Sequence, residues 1–177
     1  CINKININEA FDLVDSLLKV IPKTPKYTDS YLWLLNNKVG LLIRTSQSKE
    51  AIDQGLKLMK IAERNNMETW VIRAHIGLGW AHMELEKYND AIKWLKEGIA
   101  MCKGKQVPMI SGFLTSNIAS CYNNIRQRDS AFYFINLALE YGSRDQNMLQ
   151  MANALNIRAD MFSNEKRFME AERDLTE

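Results

Sequence analysis

Ala51, Ala91, Ala131 and Ala171 stand 40 residues apart, and Ala10 precedes Ala51 by 41. A fixed period of this length is the mark of one supersecondary unit copied along the chain, and it restricts the fold more than any single motif does. Seven residues beyond four of these alanines come Leu17, Leu58, Gly98 and Ala138, a spacing that puts both members of each pair on one helical face. Asn8, Asn89 and Asp129 lie two residues before their alanines and Ser48 three before Ala51. These are N-cap residue types, so each alanine is predicted to sit in the first turn of a helix.

A second apolar-periodic stretch precedes each later alanine. It carries Leu78-Gly79, Ile118-Ala119 or Arg158-Ala159 twelve residues upstream, and His82, Tyr122 or Phe162 nine residues upstream. A small residue beside a large one lets two helices approach closely, so every unit is predicted to be a helical hairpin. With 8 Gly and 3 Pro in 177 residues and 46% hydrophobic content, a disordered tail, a collagen-like rod and a turn-rich β-sandwich are excluded. The spacing predicts helices near 8–20, 30–45, 49–64, 68–86, 89–103, 107–126, 129–142, 146–163 and 168–177, with Ile21 to Asp29 as a connection.

The pattern resembles the tetratricopeptide repeat (TPR) family. Leu78, Gly79, His82, Tyr88, Ala91, Leu95 and Gly98 fill that motif in one unit, Ile118, Ala119, Tyr122, Ala131, Ile135 and Ala138 in the next, and Ala159, Phe162, Phe168, Ala171 and Leu175 in the last. Two features depart from it: the period is 40 residues against about 34 in the family, and the closing proline is absent. Longer helices or longer connections must absorb the difference. Val39-Gly40 lies one residue too close to Ala51, which predicts a shortened turn in the first full unit. The resemblance implies an all-α, right-handed α-α superhelix (solenoid) of antiparallel helix pairs over 1–177. It comprises a half repeat 1–28, repeats near 29–67, 68–106 and 107–145, and a truncated repeat 146–177. Both ends lack a partner helix, which reads as a fragment of a longer protein or as uncapped ends open to homo-oligomer formation.

In this family the first helix of each hairpin lines a concave groove. The resemblance therefore implies a partner-binding lining of Trp33 and Asn37, then Arg73, Trp80 and Glu84. Phe113, Asn117, Ser120, Asn123 and Asn124 follow, then Asn153, Asn156 and Asp160; Ile76, Met83, Ser116, Arg44 and Asn164 belong to the same lining. An amide ladder of this kind offers donors and acceptors to the backbone of an extended peptide, and Trp33, Trp80 and Phe113 offer anchors. The single arginine Arg73 falls short of the cationic set with which the family's chaperone-tail clamp holds a terminal carboxylate.

Chemistry beyond binding has no foothold in the sequence. No nucleotide, hydrolase or metalloprotease motif is present, and His75 and His82, seven apart, read as packing residues without a third metal ligand. No catalytic residue, cofactor or metal is expected. The 23 basic and 21 acidic side chains are mixed along the chain, which argues against direct nucleic-acid binding, and no apolar run is long enough to span a membrane. Cys1, Cys102 and Cys121 form no CxxC pair and read as structural thiols. The expected function is a non-enzymatic peptide- or protein-binding scaffold, the sensory part of a larger signalling or transcription-regulatory protein, with the cytoplasm as its compartment. Two alternatives stand beside it: a small-effector or peptide-pheromone receptor, and an accessory domain of a periplasmic or surface protein lipid-anchored through Cys1.

Overall fold

The computed structural model describes residues 6–103, 108–144 and 146–176; Cys1, with the anchor reading attached to it, lies outside them. Among the described residues every regular element is helical. They are α1 (Ile7–Val20), a 3-10 turn (Pro25–Tyr27), α2 (Thr28–Arg44), α3 (Ser48–Arg64), α4 (Glu68–Glu84), α5 (Tyr88–Cys102), α6 (Pro108–Asn124), α7 (Arg128–Arg144), α8 (Met148–Asn164) and α9 (Phe168–Thr176). From α2 onward the helices begin at 28, 48, 68, 88, 108, 128, 148 and 168. The 40-residue period is thus two near-equal halves. The length beyond the usual motif goes into the helices, six of which run 17 residues.

One turn geometry repeats between them. Ser46, Asn66, Glu86, Arg126, Gln146 and Lys166 all have φ between 51° and 60°. In the first of these turns Gln47 N–H donates to the Leu42 carbonyl at 2.8 Å and Ser46 N–H to that of Ile43 at 3.0 Å, a Schellman closure. The same pair of bonds recurs at the other five turns. None of the left-handed residues is glycine, so the backbone bonds hold a conformation that costs a Cβ-bearing residue about 1 kcal/mol.

Two expectations are corrected. The first hairpin has no shortened turn: α2 ends at 44 and α3 begins at 48, as 84 and 88, 124 and 128, and 164 and 168 do later. Val39 occupies the close-packing position, 3% exposed, and Gly40 only happens to follow it. A Cβ on Gly40 would meet nothing within 4 Å, so Gly40→Ala should stabilise the protein by about 0.5–1 kcal/mol through helix propensity, read as a rise in the urea midpoint. Nor are the polar residues before the alanines N-caps. Asn6 caps α1, accepting from Asn8 N–H at 3.1 Å, while Ser48, Asn89 and Asp129 lie inside the first turns of α3, α5 and α7.

The chain divides into two compact units, Cys1–Lys87 and Tyr88–Glu177. In the first, α2 packs on α3 and α4 on both, around a cluster of Val39, Leu42, Ile43, Ala51 and Ala81. Gly77 permits the approach of α4 to α2, since a Cβ there would lie 3.0 Å from Val39 Cγ1. α1 contributes no buried residue. It is held on α2 by Phe11, which packs against the cluster, and by the Asp15–Lys38 pair at 2.8 Å. An element with so little buried surface opens first, so α1 should exchange its amide hydrogens fastest of the helices in this unit.

In the second unit α6 packs on α5, α7 and α8, and α9 closes on α8. Its cluster is Ala119, Ala131, Ile135, Ala138, Ala154 and Met161, with Tyr122 and Phe134 stacked beside it at 5.6 Å. The Cys102 and Cys121 side chains are both buried. Burial pushes the Cys121 thiol up to about 12, so it stays protonated at neutral pH and cannot act as a nucleophile. Maleimide should label Cys121 only in denaturant, a point peptide mass mapping checks.

Candidate functional site

In the first unit, α2 and α4 are the leading helices of successive hairpins and lie side by side. Between them opens a cavity of about 760 Å³ lined by Asp29, Trp33, Asn36 and Asn37 of α2, Asn66 and Met67 of the preceding turn, and Glu68, Thr69, Trp70 and Arg73 of α4. Trp33 is 55% exposed and Trp70 only 8%, so one indole is available to a ligand and the other is part of the wall. The Trp70 Nε1–H donates to Asp29 Oδ1 at 2.7 Å, which fixes the ring. The Arg73 guanidinium lies 5.5 Å from the centre of that ring, within cation–π range.

The asparagines are oriented in advance. Asn37 Nδ2 donates to the Trp33 carbonyl at 2.7 Å, one turn back on its own helix. In the second unit Asn117 Nδ2 does the same to Phe113 at 2.7 Å and Asn124 Nδ2 to Ser120 at 2.9 Å. Each such amide has used one donor and keeps its second N–H and its oxygen for a partner. A side chain fixed this way loses less rotamer freedom when a ligand arrives.

Of the residues expected in the first unit, the cavity gathers Trp33, Asn37 and Arg73. Trp80, 40% exposed, and Glu84 lie farther along α4, outside that lining. In the second unit Phe113, Asn117, Ser120 and Asn123 are half-buried along α6, Asn124 is exposed at its end, and Asn153, Asn156 and Asp160 are exposed on α8. Ser116 is removed from the lining: it is 1% exposed and faces inward.

Sequence reading missed Asp29 and Trp70. Asp29 ends the expected connection Ile21 to Asp29, yet it stands in the first turn of α2. Trp70 recurs at the 40-residue spacing as Ser30, Ile110 and Gln150, so nothing in the repeat marks it. The histidines bond to their own helix: His75 Nδ1 is 2.8 Å from the Val71 carbonyl and His82 Nδ1 2.8 Å from that of Leu78. Among the described residues no three His, Cys, Asp or Glu side chains gather as a metal would need, and no helix is long and apolar enough to cross a membrane.

No protein-family model matches the chain, and no curated protein matches it. Solved structures do. Aspartyl phosphate phosphatase F from Bacillus subtilis aligns with TM-score 0.78 and 13% identity, over 97% of this chain and 54% of that one. The apo form of RapI aligns with TM-score 0.71 and 12% identity, over 95% and 45%. A kinesin light chain-like protein from Podosopora anserina, with nearly identical TPR-like repeats, aligns with TM-score 0.62 and 13% identity, over 96% and 82%. The chain spans about half the length of the first two. The fold is a helical repeat of the tetratricopeptide type.

Proposed function

We propose that this tetratricopeptide-type chain is a non-enzymatic interaction module, which holds an extended peptide or a partner's helix against the leading helices of its hairpins. The observation that carries the reading is the cavity between α2 and α4, where the exposed Trp33 and the pre-oriented amide of Asn37 face a ligand together. Its volume of about 760 Å³ lies within the usual range for ligand sites, and its lining holds no His, Cys or Lys. One structural neighbour is named an aspartyl phosphate phosphatase, and that likeness supports placing the module in a regulatory or signalling protein, with another protein or a peptide as its partner.

The test is selection of a random peptide library on the whole chain. Trp33→Ala with Asn37→Ala should keep the urea midpoint of the parent and weaken the selected peptides by at least about tenfold, the usual loss when an aromatic anchor is truncated. A second variant, Asn117→Ala with Asn124→Ala and Asn156→Ala, asks whether the amides of the second unit take part. Unchanged capture by both variants would count against the reading.

A further inference from the structure

We infer that the cavity at the α1–α2 connection binds a phosphate monoester with an apolar body, Lys23 and Lys57 receiving the phosphate dianion. This site shares no lining residue with the cavity between α2 and α4, and the inference does not depend on the peptide reading.

The connection departs from the repeat. Residues 21–27 separate α1 from α2, whereas 45–47 and 65–67 suffice for the next two turns. Pro22 and Pro25 each fix a backbone angle of this stretch. Thr24 is extended at φ −115° and ψ 158°, the conformation a residue before proline favours, and Tyr27 N–H closes the 3-10 turn on the Thr24 carbonyl at 3.0 Å. The connection stands beside Tyr31 of α2 and Lys57 and Ile61 of α3, and together they enclose about 420 Å³, within the range of small-ligand sites. A wall already ordered loses little further freedom on binding.

The lining carries cations and no acid. Lys23 and Lys57 both border the space, and neither Asp nor Glu does; among the described residues neither lysine forms an ion pair. Lys57 Nζ lies 5.8 Å from the centre of the Tyr31 ring, a contact that attracts the ammonium without neutralising it. Asn65 Nδ2 donates to the Ile61 carbonyl at 2.8 Å, which fixes the amide and leaves its second N–H for an anion's oxygen. Two ammonium charges with no carboxylate between them suit a dianion above a monoanion. A phosphate monoester is largely dianionic at neutral pH, its second pKa being about 6, and lysine serves phosphate as a point charge. Pro22, Pro25 and Ile61 add apolar surface that inorganic phosphate alone would leave uncovered. The repeat does not demand this charge: one and two periods on, the place of Lys57 is taken by Glu97 and Leu137.

The experiment titrates the whole chain with phenyl phosphate, benzenesulfonate, phenol and inorganic phosphate, followed by calorimetry and by the amide resonances of residues 23–31 and 57–65. Benzenesulfonate keeps the ring with one charge, phenol keeps the ring with none, and inorganic phosphate keeps the dianion without the ring. Phenyl phosphate should bind at least about tenfold tighter than each of the others, the scale of one charge-assisted contact, and should shift resonances in both segments. Lys57→Gln and Lys23→Gln should each weaken it by about tenfold at the urea midpoint of the parent, since both side chains are exposed. Lys60→Gln removes an equal charge from an exposed position of α3 outside the lining and should change the affinity by less than about twofold, because exposed charges at a distance are screened. A blocked hexapeptide bearing phosphotyrosine identifies the source: tighter binding than phenyl phosphate places the monoester on a partner's side chain, weaker binding on a free small molecule. Equal affinities for phenyl phosphate and any of the other three probes, a loss in Lys60→Gln as large as in Lys57→Gln, or no binding of phenyl phosphate would overturn the inference. None of these outcomes bears on peptide capture between α2 and α4.

Discussion

Asp174→Ala is expected to release α9 from the second unit at a cost of about 3–5 kcal/mol, the range for removing one partner of a buried ion pair. Asp174 is 3% exposed and receives two bonds from one guanidinium: Arg158 Nε to Oδ2 and Nη2 to Oδ1, each at 2.7 Å. The remaining edge of Arg158 donates to Asn136 Oδ1 at 3.0 Å, so a single side chain of α8 ties α7 and α9 together. Deleting the carboxylate leaves a guanidinium mostly withdrawn from water with two of its donors facing the space left behind. The two charges attract strongly only because both are desolvated, so replacing both removes the problem. Arg158→Leu with Asp174→Leu should recover most of the loss, as apolar pairs of similar volume do elsewhere. The measurement is amide exchange across Phe168–Thr176 together with the urea midpoint. An Asp174→Ala protein that keeps α9 protected and loses less than about 1 kcal/mol would show that water reaches the pair and that its geometry counts for little.

That ion pair shows where sequence reading stops. Arg158-Ala159 is legible as the counterpart of Leu78-Gly79 and Ile118-Ala119, because the repeat fixes its position whatever residue fills it. Its partner is not legible. Asp174 takes a position that Trp94 and Phe134 occupy in the two preceding hairpins, and only the packing of α8 on α9 joins the two charges. The helices themselves were legible to within two residues at each end, since their apolar faces recur with the period. The caps were not: the turns close by backbone bonds on residues such as Glu86 and Lys166 in the left-handed region, and without glycine at those positions nothing flags them. The candidate site divides in the same way. Trp33, Asn37 and Arg73 could be found by counting from the alanines, because they repeat a position on the leading helices. The Asp29–Trp70 bond spans 41 residues and joins two side chains that no local pattern connects.

The second large effect is expected at Gly112, where no alanine-based count points. A Cβ built on Gly112 would overlap the side-chain amide of Gln150, and Gln150 is fully buried with its Nε2 donating to the Ala138 carbonyl at 3.3 Å. An exposed amide would swing aside at little cost, whereas this one is enclosed by α6, α7 and α8 and must push the helices apart or lose its bond. Gly112→Ala should therefore destabilise by about 2–3 kcal/mol, combining overpacking with a strained buried amide, although helix propensity alone would favour the alanine. The residue to relieve is Gln150. Its Oε1 has no hydrogen-bond partner among the described residues, so Gln150→Ala removes a half-satisfied amide and should cost about 1 kcal/mol or less on its own. The double variant should then be more stable than Gly112→Ala, with a coupling energy near 2 kcal/mol in a denaturant-based cycle. Additive single effects would mean that the two side chains do not compete for one space. The same contact sets the spacing of α6 and α8, which carry Asn117 and Asn156. If those amides act together, Gly112→Ala should weaken peptide capture by more than its loss of folded protein accounts for, and the added Gln150→Ala should restore it.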